Sequence, residues 1–299
     1  MSWLLLLLAL QIGLADERLV KLEMASKLVN ASRTIQIYLP PSYFREPNRR
    51  YPVLYLHDGQ NMFSSAGTNI CFGWGNWELD KTVDELCRTR KMREIILVAV
   101  NNSSGRYTEY CGRHHPAHTN TNTEFESYTS FLIQELKPRI DSQFHTRPEP
   151  ANTGTMGSSL GGICSIVLAW DLPEVFGMAA GLSGSFQIEG TNFLNNILHP
   201  FQGKAKGTRL YLDSGVVDFT GGDDGQELTA AVAGEFQRIG WGKELLHYVD
   251  LRPLTLVELE KSGLRRDKWS EAQTSQHNEF YWRLRVWRAL VFLFPGADP

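Results

Sequence analysis

Residues 157–161 read Gly-Ser-Ser-Leu-Gly and match the pattern Gly-x-Ser-x-Gly. The two glycines predict a sharp turn from a strand into a helix, because a Cβ two residues before or after the serine would crowd the backbone. A strand-like run precedes the pattern, and the apolar residues 163–170 follow it as a helix should. The pattern therefore predicts Ser159 as a nucleophile whose hydroxyl points out of the sheet. Ser158, which has no glycine two residues before it, is the alternative nucleophile, and a turn whose serine only caps a helix is the structural alternative.

The length and charge of the chain limit its class. Its 299 residues, 42% of them hydrophobic, suffice for one large α/β domain or two small ones. The net charge of −3 and the lack of a basic stripe argue against a nucleic-acid partner.

Residues 1–15 form an apolar segment that is too short to span a bilayer. The segment ends in the small residues Gly13 and Ala15, as the cleavage site of a signal peptide does. We therefore expect a secreted or periplasmic protein without a stable membrane span. No Lys or Arg precedes the apolar run, so a wrongly assigned start or an N-terminal membrane tether is the alternative.

Apolar runs that resemble strands alternate with helical patterns over the whole chain. Segments 18–29 and 34–39 suggest an initial antiparallel pair, and nearly continuous apolar runs then indicate strands buried on both faces. These runs are Tyr51–Leu56 and Glu94–Val100, and further strands are expected at Phe176–Leu182, Thr208–Leu212 and Leu245–Leu251. The alternation predicts an α/β fold, a doubly wound and mostly parallel sheet with helices on both faces. We expect one domain over residues 16–299, since no Ser- or Pro-rich linker divides it.

A second group of functional residues is expected directly after the strand 51–56. Open α/β sheets place ligand-binding groups at the carboxyl ends of central strands, where His57-Asp58-Gly59-Gln60 lies in this chain. We predict that an oxyanion is held by the backbone N–H groups of Gln60 and Leu160, with Gly59 allowing close approach.

A serine nucleophile needs an imidazole base and a carboxylate that orients the base. The chain order Ser, acid, His limits the base to three histidines after Ser159. His277, in a polar loop directly before the final predicted helix, is the predicted base. His247 alternates within a strand and His199 lies too early, so both are expected to be structural.

The acid is expected in the loop after the strand 208–212. The candidates are Asp213, Asp218, Asp223 and Asp224. Asp213 still belongs to the strand end, and Asp223 and Asp224 resemble solvated charges before a helix. Asp218 is therefore the predicted acid.

Three segments, residues 51–63, 156–162 and 277–282, together resemble the esterase family of α/β hydrolases. That family includes enterochelin, feruloyl and acetyl-xylan esterases, S-formylglutathione hydrolase and the mycolyltransferases. The resemblance covers roughly residues 33–294 and implies the α/β-hydrolase fold. It also implies Ser159 as nucleophile, His277 as base, an acid at the position of Asp218 and no cofactor. Many relatives carry Glu in a Gly-Thr-x-Glu turn, where this chain has Gly-Val-Val-Asp at residues 215–218.

One segment of this chain differs from the family, and another corresponds to a segment that varies among its members. Residues 252–276 intervene between the last strand and His277, where relatives have a short loop, and could form a lid or a wall for an acyl acceptor. The segment 106–111 resembles one at the pocket rim of relatives. Four aromatic residues are candidates for a substrate-binding wall, with ordinary packing as the alternative: Trp74, Trp77, Tyr107 and Tyr110.

The cysteines and a cluster of histidines raise two further questions, disulfide pairing and metal binding. The cysteines at 71, 87, 111 and 164 are compatible with one or two disulfides, and Cys71 with Cys111 is the first pair to test. Cys164 is expected to be buried on the helix after Ser159. His114, His115 and His118 suggest a metal site, but no carboxylate is placed beside them by spacing, so no metal is expected.

The sequence predicts a serine carboxylic-ester hydrolase that acts on a small-molecule or carbohydrate-linked ester. Acyl transfer to a sugar or lipid alcohol uses the same residues and is the alternative. A non-catalytic carbohydrate- or siderophore-binding protein is disfavoured, because Ser, Asp and His are all present.

Overall fold

The computed structural model describes residues 18–111 and 123–296. The predicted signal peptide at residues 1–15 and the histidines 114, 115 and 118 lie outside these ranges. Within them, eight strands form one sheet in the order β1-β2-β4-β3-β5-β6-β7-β8. The strands are β1 Leu19–Ser26, β2 Ala31–Tyr38, β3 Val53–Leu56, β4 Ile96–Val100, β5 Thr153–Ser158, β6 Met178–Leu182, β7 Arg209–Ser214 and β8 Leu245–Val249.

The sheet is mostly parallel. Strand β2 pairs antiparallel with β1 and with β4, whereas every pair from β4 through β3 to β8 is parallel. This topology, with helices packed on both faces, is the predicted α/β-hydrolase fold.

The helices occupy the connections between strands. They are α1 Leu79–Arg88, α2 Arg106–Tyr110, α3 Thr123–Ser130, α4 Lys137–Gln143, α5 Leu160–Asp171, α6 Ile188–Asn192, α7 Gln226–Ile239, α8 Leu256–Lys261, α9 Trp269–Ala272 and α10 Glu279–Leu293. A π-helical segment, Phe131–Leu136, joins α3 to α4, and another, Phe193–Leu198, follows α6. Among the described residues, no helix is long and apolar enough to cross a membrane.

Alternation along the central strands divides the core into two layers. Val53 and Tyr55 of β3 pack in the layer that contains α5 and α7, while Leu54 and Leu56 point into the layer of α1 and α10. Side chains of a strand point alternately to the two faces, so a strand covered on both faces is apolar throughout. The continuous apolar runs of the sequence are explained in this way.

Two local elements differ from the sequence-based expectation. Residues 101–122 are mostly polar and favour a loop, yet Arg106–Tyr110 forms α2. Residues 123–144 have the pattern of one helix, yet they contain the π-helical segment. Both differences lie in the connection between β4 and β5. The strands are found where they were predicted.

The inserted residues 252–276 form a small apolar cluster of their own. Leu259, Leu264 and Ala272 pack with Phe280 and Tyr281 at the start of α10, and with Trp74. The hydroxyl of Tyr281 accepts from Leu254 N (2.8 Å) and donates to Ala272 O (2.5 Å). One side chain thus joins the beginning of the insertion to its end.

The first cysteine pair proposed from the sequence is not formed. Cys71 is a free thiol, as are Cys87 and Cys164. Cys71 lies beside the carboxylate of Glu279, and burial is the main cause that raises the pKa of its thiol. Cys164 is fully buried on α5, as expected for a small apolar residue.

Candidate active site

Ser159 lies at the turn between β5 and α5. Its backbone angles, φ 55° and ψ −121°, are rare for a residue with a side chain. The flanking glycines are required by contact: a Cβ on Gly157 would lie 2.7 Å from the backbone carbon of Gly161, and one on Gly161 would lie 3.1 Å from the Cβ of His57. The two glycines therefore allow the sharp turn that was predicted, and the Ser159 hydroxyl points out of the sheet.

His277 joins Ser159 to a carboxylate. Its Nε2 lies 3.0 Å from Ser159 Oγ, and its Nδ1 lies 2.5 Å from Asp224 Oδ1. His277 directly precedes α10, whose N-cap Asn278 accepts from Tyr281 N (3.2 Å). Three side chains distant in sequence thus form one hydrogen-bonded chain.

The carboxylate beside His277 belongs to Asp224 and not to Asp218, which was predicted from the sequence. Asp218 lies earlier in the same loop and turns back on it, because its Oδ1 accepts from Thr220 N (2.8 Å) and Gly222 N (3.0 Å). Asp223 accepts from the first backbone N–H groups of α7, which leaves Asp224 to point inward. Asp224 is 3% exposed.

Asp224 is held as a carboxylate by its neighbours. Burial alone would raise its pKa, but the hydrogen bond and charge of His277, the charge of Arg285 and the Ser183 hydroxyl together lower the pKa below its usual value. Its Oδ2 also accepts from Gly215 N at 2.6 Å. The ionised form is therefore the one that faces the imidazole.

Behind Asp224 lies a buried ion pair. Arg285 Nε lies 3.0 Å from Asp213 Oδ1, and Arg285 Nη2 lies 3.7 Å from Asp224 Oδ2. The guanidinium therefore lies between two buried carboxylates. Asp213, one of the four candidates for the acid, faces Arg285 and the Tyr211 hydroxyl (3.0 Å) at the end of β7.

The predicted oxyanion donors lie in the loop after β3 and at the start of α5. Gln60 follows Gly59 directly after β3, and a Cβ on Gly59 would lie 2.6 Å from the backbone carbon of Ala99 in β4. Leu160 is the first residue of α5. Neither backbone N–H is hydrogen-bonded within the described parts of the chain. Free amides at a helix N-terminus suit a developing negative charge.

Two cavities meet at Ser159. One, of about 590 Å³, lies toward α7 and is hereafter the α7 cavity. The other, of about 420 Å³, lies toward the insertion and is hereafter the insertion cavity. Both are lined by Ser159, Phe219 and His277. An ester whose carbonyl reaches Ser159 therefore has room for a group on each side.

The predicted aromatic wall is only partly found. Tyr107 is 47% exposed and lines the α7 cavity, while Trp74 and Trp77 are buried but line the insertion cavity. Tyr110 lines neither cavity. It is fully buried, with its ring 5.0 Å from that of His57, and its hydroxyl accepts from Asp58 N (3.2 Å). The assignment of Tyr110 to the substrate wall is therefore wrong.

Two exposed phenylalanines line the cavities, although the sequence did not indicate them as site residues. Phe219 is 71% exposed, lines both cavities and lies 5.8 Å from the His277 ring, edge to face. Phe72 is 93% exposed at the insertion cavity. Both lie in loops, where a hydrophobic pattern gives no signal.

The polar part of the insertion cavity is an ion pair. Arg106 binds Asp58 through two bonds, Nε to Oδ1 (2.6 Å) and Nη2 to Oδ2 (2.7 Å), and Asn102 adds a third donor to Asp58 Oδ1. Glu279 lies on the same wall, and burial raises the pKa of its carboxyl. These groups can hydrogen-bond a polar substrate, and the charge of Arg106 is already compensated.

His199, His247 and Ser158, the other candidates from the sequence, have no part in the hydrogen-bonded chain. His199 is exposed and lies 3.3 Å from Glu235, and His247 is partly buried in the edge strand β8. Ser158 is the last residue of β5 and is 5% exposed. Within the described residues, no group of three or more His, Cys, Asp or Glu side chains is arranged to hold a metal.

Sequence analysis missed two serines after β6. Ser185 Oγ lies 3.1 Å from Ser159 Oγ, and Ser183 Oγ donates to Asp224 Oδ2 at 2.5 Å. The signal present in the sequence is the run Gly-Leu-Ser-Gly-Ser at residues 181–185, a small-residue turn at the carboxyl end of a buried strand.

The fold and the arrangement around Ser159 define the class as an α/β hydrolase. Residues 26–287 match the family described as "Putative esterase". The chain therefore belongs to this family.

Similar proteins of known sequence match about half of the chain. Uncharacterized protein YbbA of Bacillus subtilis (strain 168) is 24% identical over 162 residues, which are 53% of this chain and 59% of that protein. An endo-1,4-beta-xylanase/feruloyl esterase of Xylanibacter ruminicola is 28% identical over 178 residues, 53% of this chain and 20% of that protein. The match thus spans less than two thirds of these relatives.

Solved structures show the same fold over nearly the whole chain. A ferulic acid esterase superposes with a TM-score of 0.65 at 16% identity, covering 92% of this chain and 97% of that one. The enterochelin esterase from Shigella flexneri gives 0.66 at 17% identity, with coverage of 93% and 59%. At these identities the likeness shows the fold alone.

Proposed function

We propose that the protein is a serine carboxylic-ester hydrolase that works through an acyl-enzyme. The observation that carries the proposal is the hydrogen-bonded chain from Ser159 Oγ through His277 to Asp224. It lies where two cavities meet, in a member of an esterase family.

The proposed reaction follows from this arrangement. His277 Nε2 takes the proton of Ser159 as its oxygen attacks the ester carbonyl, and the amides of Gln60 and Leu160 hold the oxyanion. His277 then gives the proton to the departing alcohol. Water attacks the acyl-enzyme by the same route in reverse, and the acid is released. Asp224 fixes the imidazole with its proton on Nδ1 and stabilises its charged form. No step requires a cofactor.

The proposed substrates are small-molecule or carbohydrate-linked esters. Trp77, Tyr107 and Phe219 offer apolar surface to the two halves of the ester, and the Asp58–Arg106 pair offers hydrogen bonds to hydroxyl groups. The feruloyl esterase among the relatives supports an aryl acid as one half. Export, proposed from residues 1–15, would suit an enzyme that acts on such esters outside the cell.

Hydrolysis of p-nitrophenyl acetate tests the proposal. We expect Ser159→Ala and His277→Ala each to lower kcat/KM by about a thousandfold or more, because each removes a partner of the nucleophilic step. Ser142→Ala, an exposed serine on α4, is the control and should be unchanged. Wild-type rates in the Ser159 and His277 variants would rule out this mechanism.

Acyl transfer to an alcohol is a second candidate, favoured by one observation. The insertion packs as a fixed wall and supplies Glu271 to the lining of its cavity. A walled acceptor site that excludes water is what transfer requires. Partition of the acyl group between water and an added sugar or glycerol separates the two activities.

A further inference from the structure

The loop after β6 contacts both ends of the hydrogen-bonded chain. Ser185 Oγ lies 3.1 Å from Ser159 Oγ, and Ser183 Oγ lies 2.5 Å from Asp224 Oδ2. Both serines are almost fully buried, at 5% and 1% exposure, and both touch the α7 cavity. Residues 183–185 are hereafter the β6 loop.

The protons of these bonds can be assigned by counting donors. The pKa of Asp224 is lowered, so its carboxylate accepts the proton on His277 Nδ1, and in the form of the ring that acts as a base Nε2 then accepts. Ser159 gives its only hydroxyl proton to that nitrogen. The contact between Ser159 Oγ and Ser185 Oγ therefore has Ser185 as its donor.

Counting donors also shows which atom receives the hydroxyl proton of Ser183. Trp282 Nε1 donates to Ser183 Oγ at 3.1 Å, and Arg285 Nη2 donates to it as well. Because both of these partners can only donate, the Ser183 proton goes to Asp224. Ser183 thereby connects Asp224 to two side chains of α10.

The backbone of the β6 loop is tied to the turn that carries Ser159. Ser159 N donates to Leu182 O, and Ser185 N donates to Ser159 O, both at 3.0 Å. Ser183 has φ 43°, a left-handed angle that is uncommon for a residue with a side chain. It is held there by its N–H, which donates to Asp213 O at 2.9 Å. The backbone that carries the two hydroxyls is therefore fixed relative to Ser159.

We propose that Ser185 is a further catalytic residue, which donates to the nucleophile oxygen, and that Ser183 is a positioning residue for Asp224. The inference rests on the function proposed above and adds two residues to it. The Ser185 hydroxyl matters most when the acyl-enzyme is hydrolysed. In that step the bond between the acyl carbon and Ser159 Oγ breaks, and negative charge develops on the oxygen that Ser185 contacts. His277 then delivers to this oxygen the proton it took from water.

Ser185→Ala should therefore slow deacylation more than acylation. Since kcat/KM reports only the steps through acylation, we expect kcat and KM to fall together by roughly tenfold, with kcat/KM within about threefold of wild type. A rapid burst of p-nitrophenol should accompany the fall as acyl-enzyme accumulates. Wild-type kcat, or a fall in kcat/KM at constant KM, would overturn the role of Ser185.

Ser183→Gly is the matching test for Ser183. Glycine suits the left-handed backbone, so this variant removes the hydroxyl and limits the cost to folding. We expect kcat/KM to fall about tenfold, because both chemical steps use Asp224. The acidic limb of the profile of kcat/KM against pH should also move to higher pH. A carboxylate that has lost a donor is a stronger base and holds the proton on His277 more tightly. An unmoved limb would overturn the role of Ser183.

Two controls separate this inference from the function on which it rests. Ser165→Ala removes another fully buried hydroxyl, which donates to Gly161 O (2.8 Å) within α5, and should keep wild-type kinetics. Ser159→Ala should be inactive. If Ser159→Ala retains activity, the proposed function fails. If Ser159→Ala is inactive and the Ser183 and Ser185 variants behave like Ser165→Ala, only the present inference fails.

Discussion

A carboxylate orients a histidine best when it is buried and ionised and keeps one oxygen for the imidazole. Asp224 meets these conditions, because its Oδ1 lies against His277 while its Oδ2 accepts from Gly215 N and Ser183 Oγ. Asp218 is partly exposed and its Oδ1 is already bonded to Thr220 and Gly222. At the scale of the residue, the direction of the carboxylate distinguishes the two aspartates.

Asp224→Asn should lower kcat/KM by roughly a thousandfold or more, since an amide favours the wrong tautomer of the imidazole. Asp218→Asn makes the same chemical change in the same loop and is the matched control, with an expected effect within about threefold. Rates of p-nitrophenyl acetate hydrolysis check both variants. Equal losses in the two would contradict the assignment of Asp224.

Among the elements, the insertion 252–276 is the one that most sets this chain apart from the expected fold. It is fixed by its apolar cluster and by the Tyr281 hydroxyl, and Arg265 Nη1 also binds Asn69 Oδ1 at 2.8 Å. The predicted lid stays a prediction. The contacts favour a packed wall, because they join the insertion both to α10 and to the loop of residues 69–74.

Tyr281→Phe should loosen this wall without touching Ser159. The variant leaves Leu254 N and Ala272 O without their shared partner, which costs on the order of 1–3 kcal/mol locally. We expect faster proteolysis within residues 252–276 and a raised KM for bulky aryl esters, with acetyl esters little affected. Tyr248→Phe, which loses only a 3.3 Å contact with Asp250, is the control. Unchanged proteolysis in Tyr281→Phe would show that the wall is held by packing alone.

The molecule as a whole carries a buried histidine behind its active site. His57 is 1% exposed between the Tyr128 hydroxyl (2.9 Å) and Thr155 Oγ1 (3.1 Å), and burial lowers its pKa to about 4. In the unfolded chain its pKa is about 6.5. Between these values the unfolded state binds a proton that the folded state does not, so stability falls as the pH is lowered from about 6.5 to about 4.

This titration can be isolated by comparing pH profiles of urea unfolding. His57 contributes about 3 kcal/mol at most to the loss of unfolding free energy between pH 6.5 and pH 4. In His57→Gln the unfolding free energy should therefore fall less over this pH range, by an amount of that order. His199→Gln, at an exposed histidine, should keep the wild-type slope. A His57 variant that also keeps the wild-type slope would show that the buried ring is protonated in the folded state.

Sequence reasoning predicted the fold, and it selected Ser159 and His277, whose side chains lie 3.0 Å apart in the structure. Their catalytic roles stay predictions. The glycines at 157 and 161 are needed by close contacts with each other and with His57, and His277 lies next to the final helix. The acid was missed because four aspartates share one loop, and only its tertiary folding turns Asp224 inward. Tyr110 was misassigned for a related reason, since burial is not encoded in the local pattern. That residues 16–299 form a single domain stays a prediction.

The close backbone contacts around the turn have a consequence for how such an enzyme can diversify. Where β5, α5 and the β3 loop meet, a side chain at position 59 or 157 would displace main chain, so substitutions there should be costly to folding. Phe72 and Phe219 are the opposite case, because they are exposed to solvent at the cavities beside Ser159 and support little of the core. We therefore expect substitutions at these two positions to alter substrate preference, in nature or by engineering, with little cost to folding.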